Sequence, residues 1–296
     1  MKQLGLILAG SFLSVITFIS CNNDENIPQG TKGRINVHLT DSPYPIGLIE
    51  SAFVTIDKVE IRQKPESNQG EDDGSFIVIS EVEMEIDLLK LTNGITEQIA
   101  TVDLKAGTYD QIRLHVVDAT VLLTDGTEFD LKVPSGSSSG LKIKFDPAIQ
   151  IQEGQTTDVL LDFDVSRSFV VKGKFGKHIN GFNFKPVVRG VFLGNAGRVE
   201  GNVSDITGNP LENAMVKLWV PGDEIEGDGE VEDETDNEKL QVSSFTDANG
   251  NYKLIGIPAG TYSVGCELEG FIGNNVTNVN VVSGKSVKLD FKLEKD

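Results

Sequence analysis

The chain has 296 residues, enough for two domains that each bury a core, and its 39% hydrophobic and 24% charged content describes a folded body rather than a disordered chain. A formal net charge of −19 repels phosphate backbones and argues against nucleic acid as a partner. Short alternating apolar runs broken by Gly, Asn and Asp recur with almost no helical periodicity, which predicts an all-β protein of two tandem β-sandwich domains.

Residues 1–20 read as a secretory signal: Lys2 supplies the positive start, and an uncharged apolar stretch, short for a membrane span, follows it. Phe18-Ile19-Ser20-Cys21 resembles the lipobox of bacterial lipoproteins, with Phe where Leu is usual. The resemblance implies that Cys21 becomes the first mature residue and carries diacylglycerol and palmitate, a multi-chain anchor of the kind that holds stably. A plain signal peptide cleaved elsewhere is the alternative. Residues 21–32 form a tether in which Asp24 and Glu25 resemble the acidic signal that sends some lipoproteins to the outer face of the outer membrane; an ordinary acidic tether explains the same residues. With Cys21 as lipid carrier, Cys266 stands alone in a strand-like run and is expected to be a buried, inert thiol.

The first domain is placed at residues 33–193. Ile35, Val37 and Leu39 alternate on one face, then the chain turns at Asp41-Ser42-Pro43. In "FVTIDKVEIR", Val54 and Ile56 share a phase while Val59 and Ile61 take the other, a slip that predicts a β-bulge or a strand break. "EIDLLKL" fits a strand end or one helical turn. Asp125-Gly126 between two alternating runs predicts a hairpin with a type I′ turn. Val159, Leu161, Phe163 and Val165 form one face of a later strand, leaving Asp162 and Asp164 on the opposite, solvated face.

Gly136-Ser137-Ser138-Ser139-Gly140 spells GxSxG, the pattern of a serine-hydrolase nucleophile elbow. That elbow needs a strand running sharply into a helix, whereas Pro134 precedes the segment and the β-type run "LKIKF" follows it. A Gly/Ser connector between strands accounts for it. His38, His115 and His178 are isolated and make no zinc pattern.

The second domain is placed at residues 198–296. Ala214, Val216, Leu218 and Val220 alternate inward, so Lys217 and Trp219 are expected outward, and an exposed Trp219 offers a flat face for a sugar ring; cover for an interface is the alternative. The acidic loop 221–238 carries ten Asp or Glu and no Lys or Arg. Asp223, Glu224, Glu226 and Asp228 in it are candidate calcium ligands, against the reading of a self-repelling solvated loop. Asp247-Ala248-Asn249-Gly250-Asn251 looks like part of a calcium loop, but Pro258 stands where the bidentate Glu belongs, so a turn explains it. A closing hairpin is expected around Ser283-Gly284.

From Gly33 to Leu193 the motifs "HLTDSP", "VTIDKVEI", "IDLLKL", "LKAGTYDQIRL", "VPSGSSSGLKI", "LDFDVSRSFVVKG" and "FKPVVRGV" resemble the lipoprotein family known as domain of unknown function 4382, which implies no activity. From about Arg198, "GNVSDITGNPLENAMVKL" and "FTDANGNYKLIGIPAGTYSV" resemble the carboxypeptidase regulatory-like family. That resemblance implies a transthyretin-like accessory sandwich, with carbohydrate contact known among similar folds. The expectation is a non-enzymatic, lipid-anchored protein of the cell outer membrane that binds or scaffolds at the cell surface. Polysaccharide and envelope proteins are the candidate partners. An adhesive component assembling through sheet edges is the alternative, and a hydrolase without recognisable motif is the third.

Overall fold

A computed structural model describes residues 31–42, 47–65, 75–133, 139–174, 178–221 and 240–296. Residues 1–20, expected to be a signal, Cys21, most of the expected tether, Gly136, Ser137, Ser138 and the acidic stretch beyond Pro221, with Asp223, Glu224, Glu226 and Asp228, lie outside those residues. The fold is all-β.

The first domain contains β1 (Lys32–Ser42), β2 (Ile49–Gln63), β3 (Phe76–Ser80), β4 (Met84–Asp87), β5 (Glu97–Lys105), β6 (Gly107–Leu123), β7 (Glu128–Asp130), β8 (Leu141–Ile151), β9 (Thr156–Asp164), β10 (Phe169–Lys174), β11 (His178–Phe184) and β12 (Val188–Phe192). One sheet runs β12-β9-β1-β5, with β1 parallel to β9 over nine paired positions. The facing sheet is built on two long central strands, β2 and β6; β3 and β4 pair along β2, and β7 and β8 along β6. Ile35, Val37, Leu39, Val159, Leu161 and Phe163 from the first sheet meet Val54, Ile56, Val59, Ile61, Ile112 and Leu114 from the second, and all are fully buried. A separate β10-β11 hairpin adds Phe169, Phe182 and Phe184 to this core.

The phase slip in β2 is a bulge. Its register against β6 shifts between Ile56 and Lys58, which lets Val54, Ile56, Val59 and Ile61 all face inward along one strand. "EIDLLKL" is both of its alternatives in turn: β4 ends at Asp87 and a single 3₁₀ turn, Leu88–Lys90, follows. The Asp125-Gly126 turn links β6 to β7, but only Gly126 has positive φ, at +83°, and the Asp125 carboxylate accepts from the Thr127 N–H. A type I′ turn needs two positive φ values, so the turn chemistry is an Asx-supported bend with glycine in the left-handed position.

The second domain contains β13 (Ala196–Asp205), β14 (Met215–Trp219), β15 (Leu240–Phe245), β16 (Asn251–Pro258), β17 (Gly260–Glu267), β18 (Phe271–Ile272), β19 (Asn274–Val281), β20 (Ser286–Lys288) and β21 (Phe291–Lys295). Its sheets run β16-β13-β21-β18, with β20 beside β13, and β15-β14-β17-β19. Val199, Leu254, Phe291 and Leu293 from one face Val216, Leu218, Val264 and Cys266 from the other. The expected terminal hairpin is instead a crossover: β19 pairs β17 in one sheet, and past Ser283-Gly284 β20 pairs β13 in the other.

The domains meet directly. A 3₁₀ turn at Leu193–Asn195 is all that separates β12 from β13. Leu160 and Val191 of the first domain pack with Ala196 and Ile255 of the second. Beside them the Asn93 N–H donates to Ser244 Oγ at 3.1 Å and Asn93 Nδ2 donates to the Asn251 carbonyl at 3.3 Å.

Candidate functional site

On the solvent side of the β2-β6 sheet, antiparallel register sets side chains in rows. Phe76, Arg62, Gln111 and Lys144 form one row across β3, β2, β6 and β8, and Val78, Glu60, Arg113 and Lys142 form the next. Lys58 and His115 pair just beyond. The inward row between them is Ile61, Ile112 and Ile143, so alternation along each strand sends the charged set to the outer face. Lys58, Arg62, Arg113, Lys142 and Lys144 stand at one end of that face with Glu60 and Asp110, and the same outward phase continues into exposed Glu85, Asp118, Glu128, Asp130 and Asp146.

Its centre is a layer of buried charge. His115 Nε2 donates to Glu60 Oε2 at 2.8 Å, and Arg113 reaches the same oxygen at 3.3 Å. Arg62 makes a two-point bond to Asp110, at 2.9 and 3.0 Å. The Arg113 guanidinium lies 3.6 Å above the centre of the Phe76 ring, close enough for a cation–π contact. Burial pushes the Glu60 carboxyl up, but the His115 hydrogen bond and the charges of Lys58, His115 and Arg113 outweigh it and hold the group below its ordinary value. Gly140 lies over this layer at φ +67°: a Cβ there would fall 2.4 Å from Arg113 Cγ and 3.0 Å from His115 Nε2. Glycine is therefore needed at Gly140 for space as well as conformation. The described end of the GSSSG segment is a tight cover running into β8, as a connector between strands does. At the rim, Lys142 and Lys144 are exposed.

The sequence shows this face, though only as a phase. "KVEIR", "QIRLH" and "LKIK" each carry charged or polar residues at every second position, and three cationic phases in so acidic a chain are the signal that single-strand reading overlooks.

Other expected sites stand differently. Trp219 faces away from the core as anticipated, yet it is only 9% exposed rather than an open platform. Its ring lies over Gly265 of the neighbouring strand, where a Cβ would approach it to 2.9 Å. Lys217 beside it is likewise buried and bonds Glu267 at 2.8 Å. Asp162 and Asp164 do not sit on a solvated edge, because β9 is an interior strand. Asp162 is buried against Arg189 at 2.8 Å, and Asp164 caps the short helix Val165–Ser168 through the Arg167 N–H and binds the Arg167 side chain at 2.7 Å. Asp41 is buried near them. One oxygen accepts from the Val165 N–H, while Oδ2 is buried with no hydrogen-bond partner among the described residues. Desolvation first, and the charge of Asp162 second, raise its carboxyl well above the usual range.

Cys266 is fully buried, and burial pushes its thiol up to about 12, which makes it inert. Asp247 closes a turn by accepting from the N–H groups of Asn249 and Asn251. His38 contacts Asp158, and the His178 side chain lies outside the described residues. Among the described residues, no three His, Cys, Asp or Glu side chains stand close enough to hold a metal ion.

Residues 32–186 match the family described as domain of unknown function (DUF4382), and residues 198–294 match the carboxypeptidase regulatory-like domain. Hydroxyquinol 1,2-dioxygenase of Corynebacterium glutamicum is 32% identical over 108 residues, covering 36% of this chain and 34% of that protein. The chain thus spans about a third of the length of this curated relative. Among solved structures, the Bacillus anthracis TIE protein aligns over 90% of this chain and 34% of its own, at 14% identity and a TM-score of 0.24. The 3-chlorocatechol 1,2-dioxygenase of Rhodococcus opacus aligns over 35% of this chain and 61% of its own, at 15% identity and a TM-score of 0.24. Likeness at that level carries no inference about chemistry.

Proposed function

The chain belongs to the DUF4382 family, and for a member that ends in a carboxypeptidase regulatory-like domain we propose a non-enzymatic binding protein of the cell envelope, held by lipid at Cys21 and facing outward. The observation that carries the binding role is the cross-strand lattice on the first domain, where exposed Lys142 and Lys144 stand beside buried Glu60 and His115 and half-buried Arg113. A layer fixed by its own ion pairs presents its rim in one geometry, so little side-chain order has to be imposed when a ligand arrives. With Trp219 covered, the binding surface lies on the first domain, and the second domain braces it.

Membrane attachment is tested by fractionating cells that express the protein or its Cys21→Ala variant. The variant is expected in the soluble fraction, and an unchanged membrane distribution would remove the anchor from this reading. Turnover of generic ester or glycoside probes by the purified protein would overturn the non-enzymatic role. A glycan array on residues 22–296, with calcium and with chelator, covers both the carbohydrate and the calcium expectations.

A second reading, assembly through a sheet edge, is favoured by β3. This edge strand and the turn after it expose Ile77, Val78 and Val82 at 37, 44 and 63%. Concentration-dependent oligomers in light scattering would support it.

A further inference from the structure

Resting on the sheet-edge reading, we propose that β3 is completed by an extended segment of another protein, apolar at its centre and basic at its ends, which adds to the free side of β3 as a further strand. The state of the edge is the first reason. β3 pairs with β2 on one side, and no described strand pairs with the other; β5, at the border of the facing sheet, pairs with β1. Ile77 and Val78 lie opposite Ile61 and Glu60 of β2, so they offer apolar side chains on both faces of the edge, at 37 and 44% exposure.

Free backbone groups beside bare aliphatic side chains invite another strand, and proteins guard such edges with charge, proline or cover. Other edges of this fold are guarded. β8 carries Lys142, Lys144 and Pro147, and β5 carries exposed Glu97, Asp103 and Lys105. β19 exposes Asn and Thr rather than aliphatic side chains, and β12 is covered at Val191 by the second domain. β3 reads "FIVIS", without charge or proline, and its one irregularity, a register shift beyond Val78, leaves Ile77 and Val78 exposed.

Charge selects the partner. Glu71, Asp72 and Asp73 precede β3 in sequence, and exposed Glu81, Glu83 and Glu85 follow it. A second copy added antiparallel would bring the acids before one β3 towards those after the other, and a parallel copy would match like with like, so both arrangements are repelled. Nearby cations are engaged: Lys58, Arg62 and Lys90 pair with Glu60, Asp110 and Asp87 at 3.8, 2.9 and 3.3 Å, and exposed Lys64 past the end of β2 offsets only one charge. A strand from another protein, about 4.8 Å from β3, gains main-chain bonds, apolar contact beside Ile77 and Val78, and ion pairs at its basic ends.

The probe is a synthetic peptide with a Val-Thr-Val-Ile-Val centre between pairs of lysines, and its control carries glutamates in their place. Binding to the full-length protein in detergent is followed by fluorescence anisotropy and located by hydrogen exchange. The lysine peptide is expected to bind saturably and to slow amide exchange within residues 76–80, with the glutamate peptide weaker by about tenfold. Val78→Lys sets a cation on the exposed edge and should weaken the lysine peptide by about tenfold at unchanged melting temperature. Glu81→Lys with Glu83→Lys should reverse the preference between the peptides, and it serves if Val78→Lys perturbs folding. Binding of neither peptide, equal binding of both, or binding without slowed exchange in β3 would overturn the proposal. Concentration-dependent oligomers abolished by Val78→Lys would also overturn it, in favour of a second copy, while leaving the sheet-edge reading standing. Monomers at every concentration, with neither peptide bound, remove both.

Discussion

Asp41 is buried, with one oxygen that has no donor among the described residues, near the carboxylates of Asp162, Asp164 and Asp87. Desolvation and those neighbours raise its folded value, so the folded state keeps a proton that the unfolded chain has already lost. Stability from this group is therefore complete below the ordinary carboxylate range and declines as pH rises through the raised value. Asp41→Asn retains the acceptor for the Val165 N–H and cannot ionise. A melting series from about pH 4 to pH 8 should show the variant level with the parent at the acid end. At the alkaline end it should melt higher, by about 2–4 °C for each kcal/mol relieved. A parent curve that does not fall relative to the variant would mean that Asp41 stays charged. Nothing in "HLTDSP" announces this burial, because Asp beside Ser-Pro is also ordinary turn chemistry.

Among the strands, the sign reverses at Glu60. Its folded value is depressed by the hydrogen bond from His115 and the cations around it, which together outweigh burial, so its stabilisation is present above the unfolded value and is lost as pH falls through the folded one. Glu60→Ala leaves Arg113 and His115 without their shared acceptor under the Gly140 cover, and a loss of about 3–5 kcal/mol is expected from urea unfolding at neutral pH, with less for Glu60→Gln. A loss under about 1 kcal/mol would place the cluster among ordinary surface pairs.

Much at this scale was legible: the β2 bulge from its phase slip, the β6-β7 turn from Asp-Gly, and the strand β8 from the alternation of "LKIKF". Partner strands were less so, since alternation tells which face a residue takes and not which strand lies beside it; hence the crossover at Ser283-Gly284. One short sequence recurs and carries the same local device in both domains. "AGTY" opens a strand in each domain, and in each the tyrosine hydroxyl donates to the carbonyl four residues back, Tyr109 to Lys105 at 2.9 Å and Tyr262 to Pro258 at 3.0 Å. Both fix a strand start in the manner of a tyrosine corner.

At the level of the molecule, the seam joins the two cores. Leu160 is fully buried although it points away from its own domain's core, and the unbroken "VLL" of β9 was its trace in the sequence, since an apolar run on both phases marks a strand covered on both sides. Leu160→Asp should set a charge against Ile255 and Ala196. Calorimetry is expected to show the parent melting in one transition and the variant in two; a single transition in both would mean the domains do not rely on this contact.

The place of β1 has a mechanical consequence. This strand leads directly from the N-terminal side of the chain, and it lies inside its sheet, paired at nine positions with parallel β9 and at eight with β5. A pull from that side runs along β1, so the hydrogen bonds on both flanks bear it in shear and must give way together, whereas a strand peeled from an edge parts one bond at a time. A protein held at that end and pulled from elsewhere would carry the load through both flanks of one strand at once.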